Sequence, residues 1–264
     1  MEEKNLIRKP AIEMYLKRFP ILILMMSICS IFFLTVSFIV NTINSSMSNT
    51  LVKIILALVS TYIVFQLFYG LNKTLIRINN KEEVTNLLLF FKDAKSRIKA
   101  PLAAILIILL IAAVYIFVIS LIGALATSVA AINVGTDSTI ITSLSSLTTI
   151  IALFVTITKV IPYEFAFFIL AEDENKSISG FKALKKSKAM LKNHIIDYIV
   201  LLLPVVGIFV GAVLILALFH RFVYPIFDNT VIYYGITIVL QVLITPLIRL
   251  IEINYYNYLK DESK

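Results

Sequence analysis

Six stretches of the chain are apolar for long enough to cross a bilayer, and polar segments rich in lysine and arginine separate them. An α-helix needs about 20 apolar residues to cover about 30 Å of hydrocarbon. The stretches run 19–40, 51–71, 101–126, 145–170, 195–219 and 231–251. Their continuity predicts helices, because the strands of a membrane barrel alternate apolar and polar residues in segments of about ten. Between the second and third stretches, Val84, Leu87, Leu88 and Phe91 recur at helical spacing, with Glu82 and Glu83 in the first turn, where the helix dipole favours acids. Between the fourth and fifth, Ile178, Phe181, Leu184 and Leu191 fall near one face, and Ser177 or Ser179 can cap the segment. Lys182, Lys185, Lys186, Lys188 and Lys192 surround that face. Both segments read as amphipathic helices lying on the membrane surface, the plainer alternative being solvated connectors. The expected fold is all-α: a polytopic transmembrane helical bundle of six spanning helices plus two cytoplasmic amphipathic helices, one integral membrane domain over 1–264.

Composition agrees. Hydrophobic residues make up 59% of the 264 and charged residues 15%, against about 25% in a soluble domain. A soluble chain of this length must cover its outside with polar groups, which this one lacks. With Lys159 set aside inside the membrane, 21 of the lysines and arginines fall on one side and only Lys53 and Arg221 on the other. The positive-inside bias then places both termini in the cytoplasm. The first span reads as uncleaved, since Ile39-Val40-Asn41-Thr42 has no small-x-small pattern. The net charge of +8 borders the spans, which suits an anionic inner leaflet and argues against nucleic acid. Cys29 is the only cysteine, and His194 and His220 fall on opposite sides, so no disulfide and no shared metal site is expected.

Charges inside the hydrocarbon cost about 2.5–3.5 kcal/mol each on insertion scales and are functional candidates for that reason. Lys159 and Glu164 lie in the fourth span on either side of Pro162, which removes a backbone hydrogen bond and predicts a kink. In the sixth, Arg249 and Glu252 share a face and follow Pro246. Glu164 and Arg249 fall at similar depths, so an interhelical ion pair is one expectation. Such charges either lock the two helices together or line a substrate or proton pathway. Gly207 and Gly211 in the fifth span permit close helix packing, internally or between copies. Asn80-Lys81 and Asn175-Lys176 open the two basic loops alike, which suggests a weak parallel repeat. No nucleophile elbow, phosphate loop, HExxH or CxxC occurs, so no catalytic residue, cofactor or metal is expected.

The run IPYEFAFFILAEDENKSISGFKALKKSKAMLKNH, with Ser179, Ala183, Ser187 and Met190 or Leu191 spaced along its helix, resembles a largely uncharacterised family of six-helix membrane proteins of Gram-positive bacteria. That family is related to the membrane domain of some glycerophosphodiester phosphodiesterases. The Tyr-rich exit TPLIRLIEINYYNYLKDE and, more loosely, GLNKTLIRINNKEEVTNLLLFFKDA also match it, while Asn193 replaces the glycine usual after the amphipathic helix. The resemblance implies a protein of the bacterial cytoplasmic membrane with a membrane protein partner, since some related proteins sit beside bacteriocin or exporter systems. The expectation is a non-enzymatic accessory, scaffold or immunity-type partner. A small transporter or permease for a peptide, lipid or ion is the alternative, and a lipid-modifying enzyme a more distant one.

Overall fold

The computed structural model describes residues 2–46, 48–82, 84, 86, 88–134, 139–223 and 230–262. These form helices and no strand: α1 (Glu2–Lys17), α2 (Phe19–Ser46), α3 (Thr50–Asn79), α4 (Leu89–Ser96), α5 (Lys99–Val134), α6 (Thr139–Val160), a 3-10 turn (Ile161–Tyr163), α7 (Ala166–Glu172), α8 (Gly180–Leu191), α9 (Ile195–Val223) and α10 (Thr230–Glu262). Six helical stretches are long and apolar enough to cross a membrane: Phe19–Ile43, Thr50–Asn79, Lys99–Ile132, Thr139–Glu172, Ile195–Ala212 and Ile238–Glu262. The chain is an all-α bundle of the multi-pass membrane type.

Several elements differ from the expectation. The basic strip after residue 71 is not a loop but the last turns of α3, buried from Gln66 to Ile78 along most of its face. The fourth span begins earlier, at Thr139, and breaks where Pro162 stands in the 3-10 turn before resuming as α7. The first surface segment is helical only over 89–96, where Phe90, Asp93 and Ala94 are buried; ahead of that helix Val84 is buried and Leu88 exposed, while Leu87 lies outside the described residues. In α8 the buried face is Gly180, Ala183, Leu184, Ser187 and Leu191, whereas Phe181 is exposed. Close backbone approach, not side-chain hydrophobicity, selects that face. A Cβ on Gly180 would sit 2.3 Å from the Ala100 carbonyl of α5. Ser179 caps the helix, its hydroxyl accepting the Lys182 N–H. Gly207 and Gly211 have nothing within 4 Å of a Cβ, so they make no close helix contact among the described residues.

An unexpected element is α1. Ile7 and Ala11 are buried, with Met14 and Tyr15 packed on the same core, and the helix runs along α10. This completes a threefold pattern at one end of the bundle. In α3–α4–α5, and in α8–α9 together with the broken span formed by α6 and α7, a long span is followed by a short helix packed on it and then by another long helix. The third instance, α10–α1–α2, is divided between the two termini. After α3 and α7 the chain turns at Lys81 (φ 63°) and Lys176 (φ 55°), the only non-glycine positive φ values among the described residues. Asn193 therefore does not take the left-handed conformation. The hydrophobic core lies at this end, while the far ends of α2, α3, α5 and α6 expose Phe38, Leu58, Phe117 and Phe154. Such a surface suits lipid rather than water.

Candidate functional site

The buried polar groups gather at the end of the bundle that carries α1, α4 and α8, in three sets. The first joins α7, α9 and α10. Arg249 reaches the Glu164 carboxylate and, at 2.6 Å, that of Glu252, while the Tyr198 hydroxyl donates to Glu252 at 2.7 Å. The guanidinium also stacks over the Phe68 ring, 4.4 Å from its centre. The break at Pro162 makes this possible, because it turns Glu164 toward α10 just after the 3-10 turn. Lys159 does not join the set. It is exposed, and its ammonium lies 5.8 Å from the centre of the Tyr115 ring. Two carboxylates on one guanidinium give a directional ion cluster, in which the buried Arg249 Nε has no hydrogen-bond partner among the described residues.

The second set, which the sequence did not reveal, ties α3, α4 and the turn after α7 together. Asp93 is 3% exposed and accepts from the Thr74 hydroxyl and the Arg77 guanidinium, both at 3.1 Å. Arg97 is nearly as buried, and it pairs with Asp173 at 2.9 Å while donating to the carbonyls of Leu170, at 3.0 Å, and Ile178. Burial by itself would raise the Asp173 carboxyl, but the bonds it accepts from the Ile178 N–H, Arg97 and Ser177 outweigh this and hold it below the ordinary value. Only the helix lengths and the turn at Lys176 bring these groups together. The residue pattern alone shows Arg97 as one more loop cation.

The third set consists of bonds to carbonyls at or near the breaks of the long helices. Pro204 in α9 has no N–H for the Val200 carbonyl. Arg8 supplies the missing donor, at 2.8 Å to Val200 and 2.9 Å to Leu201. The Tyr15 hydroxyl donates to the Leu243 carbonyl at 2.8 Å, one turn before Pro246 of α10. The Ser187 hydroxyl of α8 donates to the Pro162 carbonyl, also at 2.8 Å. Short helices α1 and α8 thus fasten the prolines of their long neighbours.

On the outer face of α8, Lys182, Lys185, Lys186 and Lys188 are exposed, and Lys192 follows them. Among the described residues, three clefts at this end bear on the site. One, of about 190 Å³, contains the Lys4–Asp197 ion pair, and another, of about 580 Å³, the Lys260–Glu172 pair. The third, of about 480 Å³, lies between the start of α5 and the turn before α8, lined by Arg97, Lys99, Lys176, Ser177 and Ser179. Among the described residues, no three His, Cys, Asp or Glu side chains are grouped to hold a metal ion. No protein-family model, curated protein or solved structure matches the chain.

Proposed function

We propose that this chain is a non-enzymatic protein of the bacterial cytoplasmic membrane, with its termini in the cytoplasm, serving as an accessory, scaffold or immunity-type partner of another membrane system. The lysine face of α8 is the contact surface in this reading. The observation that carries it is how α8 is mounted. Gly180 and Ser187 fasten one face to the bundle, and the opposite face presents lysines that make no salt bridge among the described residues. A rigid basic face beside the membrane attracts an anionic leaflet, at about 1 kcal/mol per lysine, and an acidic partner surface held there. The test is a pull-down of the tagged chain from its native membrane. A stoichiometric membrane protein should come with the parent and be lost from a folded K182Q/K185Q/K186Q/K188Q variant. Retention by that variant would remove α8 as the contact surface, and a parent that comes out alone would remove the accessory role.

A small transporter or permease is the second reading, favoured by one observation: the Glu164–Arg249–Glu252 cluster sits at a broken helix, where transporters bind cargo. Removing one member of a buried ion cluster strands the others, at a cost of about 3–5 kcal/mol, whereas replacing the whole cluster is often neutral. A purely structural cluster therefore predicts that R249M misfolds while E164Q/R249M/E252Q folds and keeps the cellular phenotype. A triple variant that folds but loses the phenotype would favour transport.

A further inference from the structure

We infer that the third cleft is a binding site for the phosphate headgroup of an anionic phospholipid, whose acyl chain lies along α5. The two neighbouring clefts hold ion pairs within their own linings, whereas this one is lined by Arg97, Lys99 and Lys176 with no carboxylate. The nearest acid, Asp173, is already engaged by Arg97, Ser177 and the Ile178 N–H. Lys99 and Lys176 are exposed at the rim and have no ion-pair partner among the described residues. The Ser179 hydroxyl accepts from the Lys182 N–H and keeps its own proton to donate. Arg97 is matched by Asp173, so the lining offers the positive charge of Lys99 and Lys176 and the Ser179 donor to a ligand, which is the chemistry of a phosphate site. Its volume of about 480 Å³ falls in the ordinary range for ligand pockets.

The surroundings select a lipid over free phosphate. Ala103 lines the cleft, and Leu106 and Leu110 continue from it along α5, both more than half exposed. The spacing of three and four residues places them on one side of the helix. This apolar track starts at the cleft and runs into the membrane-spanning part of α5, as a phospholipid requires. Gly180 holds the geometry, because any side chain there would push α8 off the first turns of α5. The site shares no residue with the lysine face of α8 and does not depend on that proposal.

The experiment follows thermal unfolding of the purified full chain in neutral detergent while phosphatidylglycerol, phosphatidylcholine or inorganic phosphate is added. Phosphatidylglycerol should raise the midpoint saturably, by linkage of binding to folding, and the other two should not. Two lysines at about 1 kcal/mol each predict that K99Q/K176Q weakens the apparent affinity about thirtyfold. K99R/K176R should retain it, and so should K182Q/K185Q/K186Q/K188Q. The site is refuted if phosphatidylglycerol gives no shift, or if K99Q/K176Q responds like the parent. It is also refuted if the α8 variant loses the response equally, which would indicate surface charge alone. An equal shift with inorganic phosphate would refute the lipid.

Discussion

Gly70 of α3 passes α4 so closely that a Cβ would lie 2.1 Å from the Phe90 carbonyl oxygen and 2.7 Å from the Ala94 nitrogen. Both atoms are backbone, so neither can rotate away, and the whole of α4 must shift. Gly70→Ala should therefore destabilise by at least the 1–3 kcal/mol typical of overpacking, read as a lowered unfolding midpoint in detergent. An unchanged midpoint would mean that α4 is not held there. Asp173 makes a different prediction at the same scale. Its carboxyl is held below the ordinary value of about 3.9, so its stabilising effect is complete above that pH. The effect is lost as the pH falls through the lower folded value. Asp173→Asn should be less stable than the parent at neutral pH, with Arg97 left without its counter-charge, and the gap should close on acidification. A gap independent of pH would show that the charge of Asp173 is not what matters.

Among elements, the proline-broken helices are not weak points but attachment points. Pro162, Pro204 and Pro246 each disturb a long helix, and in each case a short helix donates a hydrogen bond at or near the break. Val200 is exposed, so its carbonyl loses with the donor about 0.5–1.5 kcal/mol, the net worth of one hydrogen bond. Arg8→Met should cost that amount in the parent and clearly less in a Pro204→Ala background, where residue 204 regains its N–H for Val200. Equilibrium unfolding of the four proteins of this double-mutant cycle measures the coupling. Strictly additive effects would mean that Arg8 acts on α9 in some other way. Sequence patterning shows the prolines, because a missing N–H is a covalent fact. It does not show the donors, which come from segments up to 228 residues away.

At the scale of the molecule, the threefold pattern makes the termini neighbours. Lys4 and Glu262 line the same cleft, and the Asn254 amide donates to the Ile7 carbonyl at 3.3 Å. The unit α10–α1–α2 is then equivalent to the two units written continuously in the chain. A circular permutant joining residue 262 to residue 2 by a short flexible linker, and opened between α5 and α6, should fold with a midpoint close to the parent's. Failure of that permutant to fold, with the linker long enough, would show that the third unit is not equivalent. The exposed far ends of the long helices belong to this scale too, since they leave packing concentrated where the short helices sit.

The six long apolar runs were readable from the sequence because spanning length and hydrophobicity are local properties of a segment. The break at Pro162 was readable for the same kind of reason, and the Glu164–Arg249 contact followed from comparable positions along two such runs. The helix α1 was not readable, because Pro10 and the charges around it mask the spacing of Ile7, Ala11, Met14 and Tyr15. Nor were the partners Asp93 with Arg77, Arg97 with Asp173, and Tyr198 with Glu252. Their positions in sequence carry charge and polarity but no direction. The inward face of α8 was decided by tertiary structure as well: Gly180, Ala183 and Ser187 face the bundle because only small side chains let two backbones come that close, while Phe181, the more hydrophobic residue, stays outside. Segment length and covalent constraints are written residue by residue, whereas the pairing of charges and the choice of buried face arise only when separate segments meet.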